Sequence, residues 1–388
     1  MVSSQSGFRK RAKSEKESNT SSTTRKSSAY NRDFEQHLID HDIYPEEYDN
    51  DEDSEEPANM EDINQRLAQS RSSLSSSRFT REQFLNFKKK NREALTENKV
   101  MSKVFPIIAG TADIPSQKNL SFGNFKDLTD GSITKGQPDF YDGSRPANLD
   151  KRIRDELGPY VVPSTNTAAP CVPNFYTEGK GPKGDTSVCR NQALYDGALG
   201  ARGIHALRSF VDPETAYDNN AYTITSTYHG GSGALKLYTT HRTPSTNPNR
   251  DYEFRMTQLR GWDMTDNPDT FRQGAGALRN ARDWAKEKRE ELITSANGKA
   301  LNADHSALGS STQSFVSLSS NDPAHLESET SADELTLDNG TYIRPTHRTP
   351  VGARTNSSPK ISSNRRLKKK PVRVDRGPGT GYRGLQKI

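Results

Sequence analysis

The chain has 388 residues, with 55 Lys and Arg against 50 Asp and Glu for a formal net charge of +5, and only 30 % of its residues are apolar. A single packed globule of this length carries about 45 to 50 % apolar residues, so one core spanning the whole chain is excluded. One domain of roughly 200 residues flanked by polar segments is expected instead. The charge lies in blocks: residues 1–30 hold seven basic and two acidic side chains, 31–62 one basic and fourteen acidic, and 351–388 eleven basic and one acidic. What remains is close to neutral.

Cys171 and Cys189 are too few for a disulfide framework and have no metal-ligand spacing. The first residues lack the apolar core of a secretion signal, and no apolar run approaches the roughly 20 residues of a membrane span. These features predict a soluble intracellular protein in a reducing compartment.

Residues 1–78 read as mostly disordered, with a basic cluster at Arg9, Lys10, Arg11 and Lys13. Phe34, Leu38 and Ile39 at helical spacing, followed by Ile43, Tyr44 and Tyr48, predict a docking helix at 31–40. An acidic run at 46–56 and a Ser-rich stretch at 70–77 then read as a linker. The acidic segment is placed to lie over the basic ends or over a cleft of the main domain.

The domain is expected over 79–297. Thr80 and Gln83 form a capping-box pattern opening a helix at 81–103 that Pro106 stops. Residues 104–137 are irregular, anchored by Phe122 and Phe125. An extended piece at 138–141 leads to a helix at 148–157, closed by Gly158 and Pro159. A strand at 174–180 places Asn174, Tyr176, Glu178 and Lys180 on one face. Asp185 and Thr186 cap a helix at 187–209, and Gly230, Gly231 and Gly233 turn a hairpin between 222–228 and 234–239. A strand at 252–259 and a helix from Asn267 to a stop at Gly298 complete an α+β core, and 298–388 reads as a disordered basic tail.

The chemistry concentrates at Asp139, then Glu178-Gly179-Lys180 39 residues later, then the helix bearing Gln192. Residues two apart on a strand project together, so Glu178 and Lys180 face whatever Asp139 approaches. Two carboxylates from separate strands can hold Mg²⁺, and a neighbouring lysine can orient water or neutralise phosphate charge. Glu-x-Lys also occurs as an ordinary surface ion pair, and Pro138-Asp139 as ordinary turn chemistry. His205, His229 and His241 are scattered and predict no zinc site. Gly179-Lys180-Gly181 lacks the spacing of a phosphate loop, and Gly230-Gly231-Ser232-Gly233 reads as a hairpin turn.

This order of helix, Pro-Asp, Glu-x-Lys strand and Gln-bearing helix resembles the core of the restriction-endonuclease-like PD-(D/E)XK superfamily. The resemblance implies a mixed sheet flanked by helices, with Asp139 and Glu178 as metal ligands, Lys180 as the catalytic lysine, Gln192 as an auxiliary residue, and Mg²⁺ as the cofactor. It also implies that a glutamate from the first helix completes the metal site, Glu97 first and Glu93 second. Gly179 departs from that pattern, which has an apolar β-former there.

A broader likeness, over roughly 73–292, runs through Pro138-Asp139-Phe140-Tyr141-Asp142-Gly143, Pro173-Asn174-Phe175-Tyr176-Thr177-Glu178-Gly179-Lys180-Gly181 and Gln192-Ala193-Leu194-Tyr195-Asp196-Gly197. These segments resemble a large family of filamentous-fungal proteins to which no activity is assigned. The expected function is therefore Mg²⁺-dependent cleavage of nucleic acid. A catalytically inactive nuclear interaction module with the same fold stays open beside it. Arg365, Arg366, Lys368, Lys369 and Lys370 read as a nuclear-import signal, which predicts a nuclear, otherwise cytoplasmic, location.

Overall fold

A computed structural model describes residues 26–48 and 56–313, apart from 216, 246, 247 and 249, with backbone alone for 215 and 303–313. The expectations for 1–25, 49–55 and 314–388 lie outside these residues, the basic cluster at Arg9 and the import signal at Arg365 to Lys370 included.

In chain order the elements are α1 (Phe34–Ile39), β1 (Ile43–Tyr44), α2 (Met60–Leu67), α3 (Arg81–Glu93) and α4 (Glu97–Lys99). A π-helical turn, Val100–Val104, joins α4 to α5 (Phe105–Ala109), and β2 (Ser116–Gln117), β3 (Phe140–Ser144), α6 (Lys151–Val161) and β4 (Cys171–Lys180) follow. The chain continues through α7 (Thr186–Val211), β5 (Thr223–His229), β6 (Ala234–Pro244), β7 (Tyr252–Asp263) and α8 (Pro268–Gln313).

The seven strands form one mixed sheet in the order β1-β7-β6-β5-β4-β3-β2. β4 and β5 are parallel, as a crossover through α7 requires, while β3 with β4, β5 with β6 and β6 with β7 are antiparallel. Helices cover both faces. On one side Phe84, Phe87, Phe105, Phe271, Leu278 and Trp284 pack against Phe140, Phe175, Ile224 and Tyr228. On the other, α7 and the segment around Phe122 and Phe125 enclose Tyr141 and Tyr176. Gly197 and Gly200 set α7 this close, because a Cβ on either would lie 2.3 Å from Thr240 Oγ1 or 2.8 Å from Tyr176 Cε2. The architecture is α+β, a mixed sheet flanked by helices.

Six sequence expectations change. The folded unit begins before Phe79: Phe34 and Leu38 of α1 are buried on the α7 side, β1 pairs with β7, and Ile63, Leu67 and Leu74 are buried in the core on the α8 side. The Ser-rich 70–77 stretch therefore is no linker, since one buried leucine fixes it. Pro106 does not stop the first helical region, which breaks earlier, after Glu93. It stands in the first turn of α5, directly after the π-helical turn Val100–Val104, and the helical run continues through it to Ala109. Pro159 likewise falls inside the last turn of α6, held by burial of Val161. Gly298 does not end α8, because Ala296 and Ala300 on either side are buried in a third apolar cluster that outweighs the roughly 1 kcal/mol cost of a helical glycine. Finally, the register of β3 against β4 shifts between Asp142 and Ser144, and Asn174 turns to the α8 side, where its amide donates to the Ala285 carbonyl at 2.8 Å. Tyr176, Glu178 and Lys180 keep the shared face.

Asp142 and Arg282 tie α8 to the sheet through a buried two-pronged ion pair, Nε to Oδ2 at 2.8 Å and Nη2 to Oδ1 at 3.0 Å. Arg282→Met leaves a buried, unpaired carboxylate and should cost about 3 to 5 kcal/mol in urea unfolding. Adding Asp142→Asn should restore most of that loss, and a double variant as unstable as the single one contradicts this account.

Candidate functional site

The site is assembled where β3 begins and β4 ends. Phe140 pairs with Thr177, which sets Asp139 and Glu178 side by side. The Asp139 backbone N–H donates to Glu178 Oε1 at 3.1 Å, and the Gly179 N–H donates to Asp139 Oδ2 at 2.8 Å. The same geometry accounts for Gly179. A Cβ there would lie 2.4 Å from Met101 Sδ in the π-helical turn, so an apolar β-former has no room. Lys180, at the end of β4, is buried and donates to Glu97 Oε2 at 2.8 Å. Thr96 caps α4 and fixes Glu97 in its first turn.

Asp139, Glu178 and Glu97 line a cavity of about 350 Å³ together with Gln192, Tyr195 and Asp196 of α7, Thr134 to Gln137, and Ser28, Ala29, Tyr30 and Phe34, and Lys180 reaches it through Glu97. Its size is at the lower end of ordinary ligand clefts. The N-terminal segment thus forms one wall. Phe34 meets the Tyr195 ring edge-on at 6.3 Å between centroids, and Glu35 pairs with Arg190. Tyr30 lies 5.9 Å from the Lys180 ammonium.

Three carboxyl groups crowd this cavity, and burial raises the pKa of each. Asp139 is pushed up to about 6, against the opposing hydrogen bond from Gly179. Asp196 is pushed up to about 7. Glu178 is raised well above its ordinary value by burial and then by the charges of Asp196 and Asp139. Asp196 thus acts directly on Glu178, and the two acids oppose each other's ionisation. Burial alone would lower the Lys180 pKa, but its hydrogen bond to Glu97 and the charge of Glu178 outweigh that and hold the ammonium charged.

Three buried oxygens of the residues lining this cavity, Glu178 Oε2, Asp196 Oδ2 and Gln192 Oε1, have no hydrogen-bond donor among the described residues. A buried acceptor without a donor costs about 1 to 3 kcal/mol, more for a charged group. Oxygen-only donors of this kind fit a hard divalent cation.

Asp139, Glu178, Gln192 and Glu97 are therefore brought to one cavity, with Lys180 bound to Glu97 at its edge. Lys180 engages Glu97, while Glu93 is exposed at the end of α3. Glu178 and Lys180 are 1 % and 2 % exposed, so theirs is not a surface ion pair. Sequence reasoning missed Asp196. The signal was an acid inside the apolar run Ala193-Leu194-Tyr195-Asp196-Gly197-Ala198-Leu199, one turn after Gln192. His205, His229 and His241 stay apart from it; His229 bonds Ser232 and the Gly184 carbonyl, and burial lowers the His241 pKa to about 4. Among the described residues no helix is long and apolar enough to cross a membrane. No protein-family model, curated protein or solved structure matches the chain.

The raised carboxyl pKa values set a pH dependence. Between the ordinary carboxylate range and about 7, these acids keep protons in the folded chain that the unfolded chain has released, so their contribution to stability is fully present at low pH and is lost as pH rises through this window. In chelator, the urea midpoint should fall more steeply between about pH 5 and 8 in the wild type than in Asp196→Asn, which should also be the more stable at pH 8. Equal slopes in the two proteins would remove the buried acid cluster as the cause.

Proposed function

We propose that the chain is a Mg²⁺-dependent phosphodiesterase with a restriction-endonuclease-like core, acting on nucleic acid. The observation that carries the reading is the cavity in which Asp139, Glu178 and Asp196 are buried together, with oxygens that no protein group satisfies and a charged lysine beside them. The chain order supports it as well. A helical region is followed by three antiparallel strands, β2, β3 and β4, then by α7 and a strand parallel to β4.

Asp139, Glu178 and Asp196 would hold the cation, which supplies Lewis-acid stabilisation of phosphate charge and an acidified water. The chain's own groups do the rest. Lys180 places a positive charge beside the carboxylates, where it can neutralise charge developing on a phosphate oxygen. Glu97 aims that ammonium and keeps it protonated. Gln192 Oε1 is an acceptor able to take a hydrogen bond from a water. Glu178, whose pKa burial raises, would have to be ionised to hold the cation, so occupancy would favour higher pH. The basic cluster at 365–370 would deliver the protein to the nucleus and add affinity for phosphate backbone that falls steeply with salt.

The non-catalytic reading has one observation in its favour, the wall made by Ser28, Ala29, Tyr30 and Phe34, which narrows access to Lys180. Cleavage of labelled DNA and RNA in Mg²⁺, Mn²⁺ or chelator separates the two. Activity should need the metal and fall about a hundredfold or more in Glu178→Gln and Lys180→Met. Asp196→Asn should behave like Glu178→Gln. No cleavage by the wild type, or equal cleavage by the variants, leaves the inactive platform. A fluorescent fusion lacking 364–376 should lose nuclear accumulation.

A further inference from the structure

A second group of side chains, separate from this cavity, has a different chemistry. His37 lies in the last turn of α1 and His41 one turn beyond, their rings stacked at 5.0 Å between centroids. Asp130 reaches them from the segment that precedes the cavity wall. One ring nitrogen of each histidine and one oxygen of Asp130 lie within 4.8 Å of one another, and His37 Nε2 stands 3.9 Å from Asp130 Oδ1.

Their surroundings orient these groups. His41 Nδ1 is 2.8 Å from the His37 carbonyl oxygen, so Nδ1 donates and Nε2 carries the lone pair. A backbone carbonyl on the far nitrogen is the usual support of a metal-bound histidine. The Ser132 N–H donates to Asp130 Oδ1 at 3.0 Å, and Ser132 Oγ lies 2.7 Å from His37 Nε2. The backbone brings the two segments together independently: Ser27 N–H donates to the Ser132 carbonyl at 2.7 Å, and Thr134 N–H to the Ser27 carbonyl at 2.9 Å.

We propose that His37, His41 and Asp130 form a binding site for a borderline transition-metal dication of the Zn²⁺ class, fastening the N-terminal segment to residues 130–134. Two imidazoles and a carboxylate leave one tetrahedral position for water, and imidazole selects Zn²⁺ over the hard Mg²⁺ that suits the oxygen-only cavity. Bonds of about 2.0 to 2.1 Å set tetrahedral ligand atoms about 3.3 Å apart. The donors must close by rotation of side chains that have room to move, since the His37 side chain is 21 % and that of Asp130 65 % exposed. His37 then exchanges its Ser132 contact for the ion. Because the joined segments carry Ser28 to Phe34 and Thr134 to Gln137, the ion would fasten two walls of the cavity to each other.

Co²⁺ tests this, since tetrahedral imidazole-bound Co²⁺ absorbs strongly in the visible. The full-length, tag-free chain should bind one Co²⁺ with such bands, displaced by an equivalent of Zn²⁺, and Glu178→Gln should bind it equally. His41→Phe, which keeps the stacked ring, and Asp130→Asn should each weaken binding at least tenfold. Thermal unfolding without metal should match the wild type in both; if either fails to fold, His37→Gln takes its place under the same criterion. Absence of tetrahedral Co²⁺ in the wild type, unchanged affinity in the folded variants, or loss of the bands in Glu178→Gln instead overturns the site.

Discussion

The contact between β3 and β4 at Gly179 is the constraint on which the candidate site depends. Asp139 reaches across to accept from the Gly179 N–H, and the Asp139 N–H in turn holds Glu178 Oε1. On the opposite side, Met101 of the π-helical turn presses into the space a side chain would fill. That turn continues directly from α4, which carries Glu97 to Lys180. A larger residue at 179 would push against Met101, and a shift of the turn would carry Glu97 away from the ammonium. The departure from the resembled motif is thus a packing requirement of this chain.

Much of the architecture was legible because local signals and burial agreed. The capping box at Thr80 and Gln83 forms as read, and the Gly-rich hairpin joins β5 to β6. Asp185 caps α7, and the alternation at Tyr176, Glu178 and Lys180 holds. The failures share a cause, which is that composition outvoted a few apolar residues. The 56–78 stretch is polar on average, yet Ile63, Leu67 and Leu74 suffice to bury it, and Pro106 and Gly298 are breakers only where nothing nearby compensates. The π-helical turn has no sequence signature of its own; it follows from fitting Val100, Val104 and Phe105 into one core. Asp139, Glu178, Lys180 and Gln192 were found by order along the chain, whereas Asp196 needed the register of α7 against the sheet.

The two faces of the sheet treat buried acids in opposite ways. On the α8 side, Asp142 is fully buried, and Arg282 meets both of its oxygens. Burial raises its pKa, and the guanidinium works against that rise. Arg289, on the same side, is buried against Asn174. Asp142 has little left to offer a ligand, and its chemistry is that of a fastening, whereas Arg289 keeps Nε and Nη2 without a partner among the described residues.

On the α7 side no arginine among the described residues bonds Glu178 or Asp196, and Glu178 Oε2 and Asp196 Oδ2 are buried in the cavity lining without a donor. Lys180 is held by Glu97, so its charge is shared before it reaches the buried acids. If stability alone had shaped this face, replacing Asp196 by a neutral residue would relieve repulsion at no loss, since buried charge is dispensable where apolar packing can replace it. Acids kept together at a cost to folding are the pattern of a site whose charges are reserved for something that binds there. That asymmetry, two acid sets on one sheet with only one of them paired to arginine, is the physical ground for proposing that any chemistry lies on the α7 face.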